Sequence, residues 1–251
     1  MNRIGFAGIV VVVILNAMGC NPGLLEPAMN VIPPAQGLIA YYPFTGNSVD
    51  ASGNGNNGII RGVTLTNDRF GNAKGAYRFA DGSSVLIPEL FPETCQAFTF
   101  SVWVMKDIVD HDNHVIFYKG LDEGEAAISI TDGNLGFGVN LETGMHGAQN
   151  WHPVNIPDTL KANTYYSLIG RYERGKQVEF FVNGEFVGST PVPDVPLAKW
   201  AGHSYSAIGT HPQFPTTYYW KGVIDDIRIY NRPLTDKEIQ AIYHEKGWMM
   251  Q

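Results

Sequence analysis

The sequence predicts an all-β fold, an antiparallel sandwich that ends in one short C-terminal helix. About a dozen short runs rich in β-branched and aromatic residues follow one another between residues 37 and 230, with Gly, Asn, Asp and Pro between them. Such runs with turn residues between them are typical of antiparallel sandwiches. With 251 residues, 44% of them hydrophobic, the chain is long enough for one large domain of this kind.

Residues 1–19 have the anatomy of a secretory signal. Arg3 gives a short basic region, and residues 9–15 form an apolar core that is too short for a good membrane-spanning helix. The segment resembles a bacterial lipoprotein signal, in which Cys20 becomes the lipidated first residue. We therefore predict a lipid-anchored protein of the bacterial cell envelope. The sequence "Ala-Met-Gly" before the cysteine also fits an ordinary signal-peptidase site, so a freely secreted protein is the alternative.

Residues 20–36 are predicted to be a tether, because they combine several prolines with little periodicity. The folded domain is predicted at residues 37–247. Two cysteines cannot make a disulfide framework. If Cys20 is lipidated, Cys95 is a lone thiol, and we interpret it as an inert, largely buried residue at the start of a strand.

A tight hairpin is predicted at residues 183–184. Asn-Gly suits a two-residue type I′ turn, because both central residues of that turn need positive φ. The turn would pair Val182 with Glu185 and Phe180 with Val187. Both faces of the hairpin are apolar, which indicates that it is covered on both sides.

The C-terminal helix is predicted from the stretch "PLTDKEIQAIYHEKG". Thr235 and Glu238 have the spacing of a capping box, and Ile239, Ile242 and Tyr243 recur at helical spacing.

Charge argues against nucleic acid and anionic membranes as partners. The formal net charge is −7, and the basic residues are scattered rather than clustered as phosphate binding requires.

The sequence shows no pattern typical of a hydrolase. A retaining β-glucanase needs two carboxylates on one strand about 5 Å apart. Glu179 and Glu185 flank the predicted hairpin but are expected on opposite faces. His111 and His114 are close enough for a metal pair, yet we interpret them as part of a solvated loop. We therefore predict that the protein is not an enzyme.

Several segments together resemble one family. "GLIAYYPFTGNSVDASGNGNNGIIRGV", "FTFSVWV", "VEFFVNGEFVGS" and "YWKGVIDDIRIYNRPLTDKEIQAIY" are similar to the laminin G-like domains of the concanavalin A-like lectin/glucanase superfamily. The resemblance implies a two-sheet jelly-roll sandwich that binds glycans or protein surfaces. It does not give a ligand, because that superfamily holds lectins, adhesion modules and enzymes.

The loop at residues 46–58 is rich in glycine and asparagine around a single acid. Gly and Asn allow backbone carbonyls to turn toward one point, and calcium takes six to eight oxygen ligands. In similar domains a structural calcium lies where this loop meets the closing strand, which carries two adjacent acids, Asp225 and Asp226. The ligands implied by the resemblance are Asn47, Asp50, Asn56 and Asp225. The alternative is an Asx-turn loop without an ion, in which Asp50 caps backbone amides.

Glycan binding uses flat aromatic rings that stack on sugars, with polar groups nearby. Trp103 and Trp220 lie within strand patterns and are predicted to be core residues. Four residues in polar, loop-like surroundings are the better candidates for a sugar site: Trp151, His152, Trp200 and Tyr205.

Together these features predict a non-catalytic carbohydrate-binding module with a structural calcium. Its partner would be a glycan or an extracellular protein, with no nucleic acid, and with the membrane reached only through a lipid anchor. The alternatives are a protein-binding adhesion module and a divergent glycoside hydrolase or lyase.

Overall fold

The described residues form an antiparallel β-sandwich with one α-helix, as the sequence predicts. The computed structural model describes residues 32–120, 125–142, 150–198 and 205–248. The first eight strands are β1 (Leu38–Tyr42), β2 (Ile59–Arg61), β3 (Thr64–Thr66), β4 (Ala76–Phe79), β5 (Ser84–Pro88), β6 (Ala97–Lys106), β7 (His114–Lys119) and β8 (Ala126–Thr131). The later elements are β9 (Asn134–Asn140), β10 (Trp151–Pro157), β11 (Tyr165–Glu173), β12 (Gln177–Val182), β13 (Glu185–Pro191), β14 (Tyr205–Ile208), β15 (Gly222–Tyr230) and α1 (Asp236–Tyr243).

Two sheets enclose the core. The first sheet has the order β13-β12-β11-β6-β15-β4-β3, with β1 also paired to β15, and the second has the order β10-β9-β8-β7-β14-β5-β2. Aromatic side chains join them: the rings of Phe100 on β6 and Phe117 on β7 stack with centroids 4.0 Å apart. Trp103 and Trp220 are fully buried, so their prediction as core residues is confirmed.

The Asn-Gly hairpin forms where it was predicted, but its register shifts after two pairs. Asn183 and Gly184 both have positive φ, 52° and 79°. Val182 pairs with Glu185 as expected, whereas Phe180 pairs with Gly188 instead of Val187. That second pairing was wrong because a bulge lies between Phe180 and the next residue, and a bulge adds one residue to one strand only.

A second hairpin of the same kind joins β8 to β9. Its turn residues Asp132 and Gly133 have φ of 50° and 74°, and Thr131 pairs with Asn134 across it. This turn fixes the register between β8 and β9.

The helix covers the outer face of the first sheet. The capping box is confirmed: Glu238 N–H donates to Thr235 Oγ1 at 3.3 Å, and Thr235 N–H donates to Glu238 Oε2 at 2.8 Å. Ile239 and Ile242 are buried against a cluster that includes Phe181. In the part of the chain that the structure describes, no helix is long and apolar enough to cross a membrane.

Cys95 is a free, half-buried thiol two residues before β6. Burial raises its pKa to about 11, partly opposed by Lys119 and Arg174. A thiol with a raised pKa is a poor nucleophile, which agrees with the prediction of an inert residue.

Candidate functional site

The outer face of the second sheet has a floor of small residues. Ala127 and Ser129 on β8 lie opposite Gly138 and Gly136 on β9, and the residues that alternate with them face the core. A cavity of about 480 Å³ lies above this floor. The cavity can extend close to the sheet because none of these four residues carries a side chain larger than a hydroxymethyl group.

One wall of this cavity is the edge strand β10. Trp151 lies over Gly138, with Cζ2 only 2.6 Å from the point that a Cβ of residue 138 would occupy. The side-chain oxygen of Asn155 similarly occupies the place of a Cβ at Gly136. Glycine at both positions is therefore needed to bring the indole and the amide down onto the sheet.

The opposite wall is aromatic. Tyr118 on β7 contacts His211, with ring centroids 4.1 Å apart, and His211 lies 6.0 Å from the ring of Tyr218. Trp151 and Tyr218 both pack against the cluster formed by Val115, Tyr118 and Ala127. The floor thus lies between aromatic side chains on two sides.

Two neighbouring cavities extend the first. One of about 240 Å³ shares Tyr118 and Ser129 with it, and another of about 440 Å³ shares Asp132. We call the three together the outer groove. It runs from Trp151 across the sheet to Tyr218 and the loop at residues 111–113.

Asn140 lines the groove and carries an acceptor that has no partner among the described residues. It is the last residue of β9, is 1% exposed and lines the main cavity. Its backbone is paired, since its N–H donates to Glu125 O at 2.9 Å and its carbonyl accepts from Ala198 N–H at 2.8 Å. Its side-chain Oδ1 has no hydrogen-bond partner among the described residues. A buried acceptor left unpaired costs about 1–3 kcal/mol, which a ligand hydroxyl would recover.

Among the described side chains, one predicted sugar-site residue lines the groove. Trp151 lines it, although in a strand rather than in the expected loop. His152 lies on the other face of β10, paired with the core residue Val139. The backbone of Tyr205 begins β14 opposite Pro88, and Trp200 is outside the described residues.

The two histidines of the loop before β7 differ. His111 is exposed, as expected of a solvated loop. His114 is 1% exposed, so the interpretation was wrong for this residue. Its Nε2 lies 2.6 Å from Asp110 Oδ1, and its Nδ1 lies 2.8 Å from the carbonyl oxygen of Tyr219. His114 is therefore held in place by polar contacts at the end of the outer groove.

The asparagine loop is organised around the Asp50 carboxylate. Oδ1 accepts from the N–H groups of Tyr41 and Ser52, both at 2.9 Å, and Oδ2 accepts from Asn56 N–H at 3.0 Å. Burial would raise the pKa of Asp50, but the hydrogen bonds from Ser52, Tyr41 and Asn56 lower it overall. Asn47 Oδ1 accepts from the N–H of the residue two positions later.

Asp225 lies in a buried ion network instead. Its Oδ2 is 2.9 Å from Arg69 Nη1, and Arg69 also contacts Asp226 and Glu245. Arg228 Nη2 is 2.8 Å from Glu245 Oε2, so the network ties the closing strand to the C-terminal segment. Burial, together with the neighbouring Asp226 carboxylate, raises the pKa of Asp225 to about 7 against the opposing effect of Arg69.

These contacts bear on the predicted calcium ligands Asn47, Asp50, Asn56 and Asp225. The contacts of Asp50 are those of a carboxylate that caps backbone amides, and Asp225 is already neutralised by Arg69. An ion bound by both acids would have to exchange some of these contacts for coordination. No group of three or more His, Cys, Asp or Glu among the described residues could hold a metal ion. The calcium site stays a prediction.

Comparison with known proteins adds a family and a set of similar folds. A family model of the concanavalin A-like lectin/glucanases superfamily (Laminin_G_3) matches residues 79–240. No curated protein matches the chain.

Solved structures with a similar fold include two kinds of protein. The receptor-binding domain of botulinum neurotoxin C/D mosaic serotype superposes with a TM-score of 0.66 at 14% identity, over 85% of this chain and 52% of that one. The binding domain of botulinum neurotoxin DC, in complex with SialylT, has a TM-score of 0.63 at 14% identity, over 86% and 52%. This chain therefore spans about half the length of those neurotoxin domains.

A structure of similar length is domain 4 of AbnA, a GH43 extracellular arabinanase from Geobacillus stearothermophilus, in complex with arabinotriose. It superposes with a TM-score of 0.60 at 20% identity, over 82% of this chain and 98% of that one. At these identities the likeness shows a shared fold.

Proposed function

This chain belongs to the concanavalin A-like lectin/glucanases superfamily, and we propose that it acts as a carbohydrate-binding module whose glycan site is the outer groove. The observation that carries the proposal is the placement of Trp151 and Asn140 in the lining of one cavity, where Asn140 Oδ1 has no hydrogen-bond partner among the described residues. The indole offers a flat apolar face, on which the C–H face of a sugar ring stacks. The buried amide oxygen offers an acceptor for a sugar hydroxyl.

The surroundings of these two groups suit a sugar. Ser129, Asn134 and Asn155 line the same cavity and add short hydroxyl and amide groups around an apolar floor. A pocket with a few convergent polar groups and an aromatic surface is typical of small-molecule sites. Two of the similar structures are complexes with arabinotriose and with SialylT, which supports a glycan as the ligand class.

Catalysis is not part of this proposal. Glycoside hydrolysis uses two carboxylates, one as a protonated acid and one as a base or nucleophile. Among the described residues that line the outer groove, the carboxylates are Asp112, which is paired with Lys221, and Asp132. Release of reducing ends from mixed polysaccharides, lost on substitution of Asp112 or Asp132, would support the hydrolase alternative instead.

The test is binding to a glycan array, followed by calorimetry of the best ligand with Trp151→Ala. We expect this variant to weaken binding roughly three- to ten-fold, because ring stacking contributes about 0.5–1.5 kcal/mol beyond buried area. The control is Phe186→Ala, which removes an exposed aromatic ring from the first sheet and should leave binding unchanged. If no glycan binds, or if Trp151→Ala binds as well as wild type, the groove is not the glycan site.

A protein ligand is the second candidate. One similar structure is the binding domain of botulinum neurotoxin DC in complex with rat synaptotagmin II. The absence of any glycan hit, with saturable binding to a purified extracellular protein, would favour this function.

The proposal places the module at the bacterial cell surface through a lipid on Cys20, which lies outside the described residues. Mass spectrometry of the mature amino terminus tests it. Cys20→Ser should move the protein from the membrane to the soluble fraction. An unmodified soluble wild-type chain would contradict the anchor.

A further inference from the structure

The outer groove is longer than one sugar ring. Trp151 on β10 and Tyr118 on β7 are separated by two intervening strands. Three inter-strand spacings of about 4.8 Å place their backbones roughly 14 Å apart across the sheet. The groove continues beyond Tyr118 to Tyr218, so it can hold several consecutive sugar units rather than a single one.

No described cation in this groove is free to meet an anionic sugar. Lys221 is the only Lys or Arg among the described residues that line it. Its Nζ is 3.1 Å from Asp110 Oδ2 and also contacts Asp112. Two carboxylates therefore already neutralise the single ammonium group.

Asp132 adds a carboxylate where two cavities of the groove meet. It lines both the main cavity and the one at residues 111–113, and its side chain is exposed. Its backbone is fixed by the type I′ turn and by its own N–H, which donates to Asn113 Oδ1 at 2.8 Å. A chain that runs along the groove has to pass this negative charge.

We propose that the outer groove binds a stretch of an uncharged glycan and rejects chains that carry carboxylate or sulfate groups. This inference rests on the proposed function, since it names the class of ligand for the same site. A charged sugar group in the groove would lose water without gaining a counter-ion from the described residues, and it would also be repelled by Asp132. Neutral sugars need only the stacking surfaces and the hydroxyl and amide partners that line the groove.

The substitution that isolates this effect is Asp132→Asn. Among residues other than glycine, Asp and Asn readily adopt the positive φ of 50° found at this position, so the turn should be kept. The variant removes one charge and leaves the shape of the groove. The experiment compares three proteins: the wild type, Asp132→Asn and Trp151→Ala. Each is titrated with matched neutral and carboxylated oligosaccharides that share the same backbone and increase in length.

In wild type we expect neutral oligosaccharides to bind more tightly with each added unit until the groove is filled. Their carboxylated counterparts should bind more weakly. Asp132→Asn should raise the ratio of carboxylated to neutral affinity roughly three- to ten-fold at low ionic strength. The gain should shrink in high salt, because exposed charges are screened over a Debye length of about 10 Å at 0.1 M.

Two failures are distinguishable. If carboxylated chains bind wild type as tightly as neutral ones, and Trp151→Ala weakens both, the groove binds glycans but does not select by charge. That result overturns this inference alone. If neither class binds, or if neither depends on Trp151, the proposed function itself fails. Equal affinity of wild type and Asp132→Asn for the carboxylated chains would also overturn the role given to Asp132.

Discussion

The indole of Trp151 lies on Gly138, with Cζ2 2.6 Å from where a Cβ on that glycine would stand. The two residues belong to adjacent strands, and the contact exists because residue 138 has no side chain. The height of the stacking surface above the sheet is therefore set by a glycine on the neighbouring strand. This relationship allows the binding surface to be altered without touching the aromatic ring itself.

Gly138→Ala should displace Trp151 and weaken glycan binding several-fold while the sandwich stays folded. A Cβ at 2.6 Å from an aromatic carbon forces the ring to move, whereas the core side of β9 is unchanged. Calorimetry measures the loss, and tryptophan fluorescence reports the ring displacement. Gly188→Ala is the control, because its Cβ would meet Val154 Cγ1 at 2.9 Å, away from the groove. Unchanged affinity in Gly138→Ala would mean that the height of the indole does not matter.

Asn140→Leu should weaken glycan binding without lowering the stability of the fold. Leucine has a similar volume and removes the buried Oδ1 that has no partner among the described residues. Replacing an unpaired buried polar group with an apolar one is neutral or stabilising, so the melting temperature should not fall. Glycan affinity should fall about five-fold for each hydrogen bond of about 1 kcal/mol that is lost. A lower melting temperature with full affinity would show that the amide is structural.

Asp50→Ala should destabilise the protein by about 1–3 kcal/mol even in the presence of a chelator. The substitution leaves three backbone N–H groups without their acceptor. The folded state lowers the pKa of Asp50. The ionised carboxylate therefore contributes fully to stability above the unfolded pKa of about 4, and this contribution is lost as the pH falls through the lower folded pKa. Urea denaturation from pH 7 to pH 3 should show the wild type approaching the stability of the variant.

The same variant tests the predicted calcium. If an ion is bound at Asp50, added calcium raises the melting temperature of the wild type but not of Asp50→Ala. The free energy of unfolding of the wild type rises by about 2.7 kcal/mol at 100 times the dissociation constant. A wild type that is indifferent to calcium and chelator, with no ion found by elemental analysis, would leave the carboxylate as a cap for backbone amides only.

Arg69→Met should cost about 3–5 kcal/mol at neutral pH, because it leaves buried carboxylates without their shared partner. Asp225 has a pKa raised to about 7, so the folded state holds a proton that the unfolded state releases above pH 4. Stability from this group therefore falls as the pH rises from about 4 to 7, and the variant should lose more at pH 8 than at pH 5.

The control for Arg69 is Arg78→Met. Arg78 pairs with Asp107 at the surface, with side chains 40% and 33% exposed, and such a pair contributes little to stability. Equal urea midpoints for the two variants would show that the buried network does not hold the closing strand.

Local features could be predicted from the sequence because their contacts join near neighbours in the chain. The capping box at Thr235 and Glu238 joins residues three apart, and the turn at residues 183–184 depends on the φ preferences of its own two residues. The bulge beyond that turn could not be predicted, since it depends on how β12 and β13 fit the neighbouring sheet. A strand with Pro153 and Pro157 was not expected either. Both prolines are tolerated because β10 is an edge strand.

By itself the sequence determined the fold class, the core tryptophans and Trp151 as a candidate, through alternation, turn residues and family motifs. It also contained a signal for the floor, because glycines at 136 and 138 alternate with core residues of β9. Only the tertiary structure decided that these glycines lie beneath Trp151 and beside Asn140, and that Asp225 faces Arg69, 156 positions away. Such contacts depend on strand order and register, which arise from packing two whole sheets together and are not encoded within any one segment.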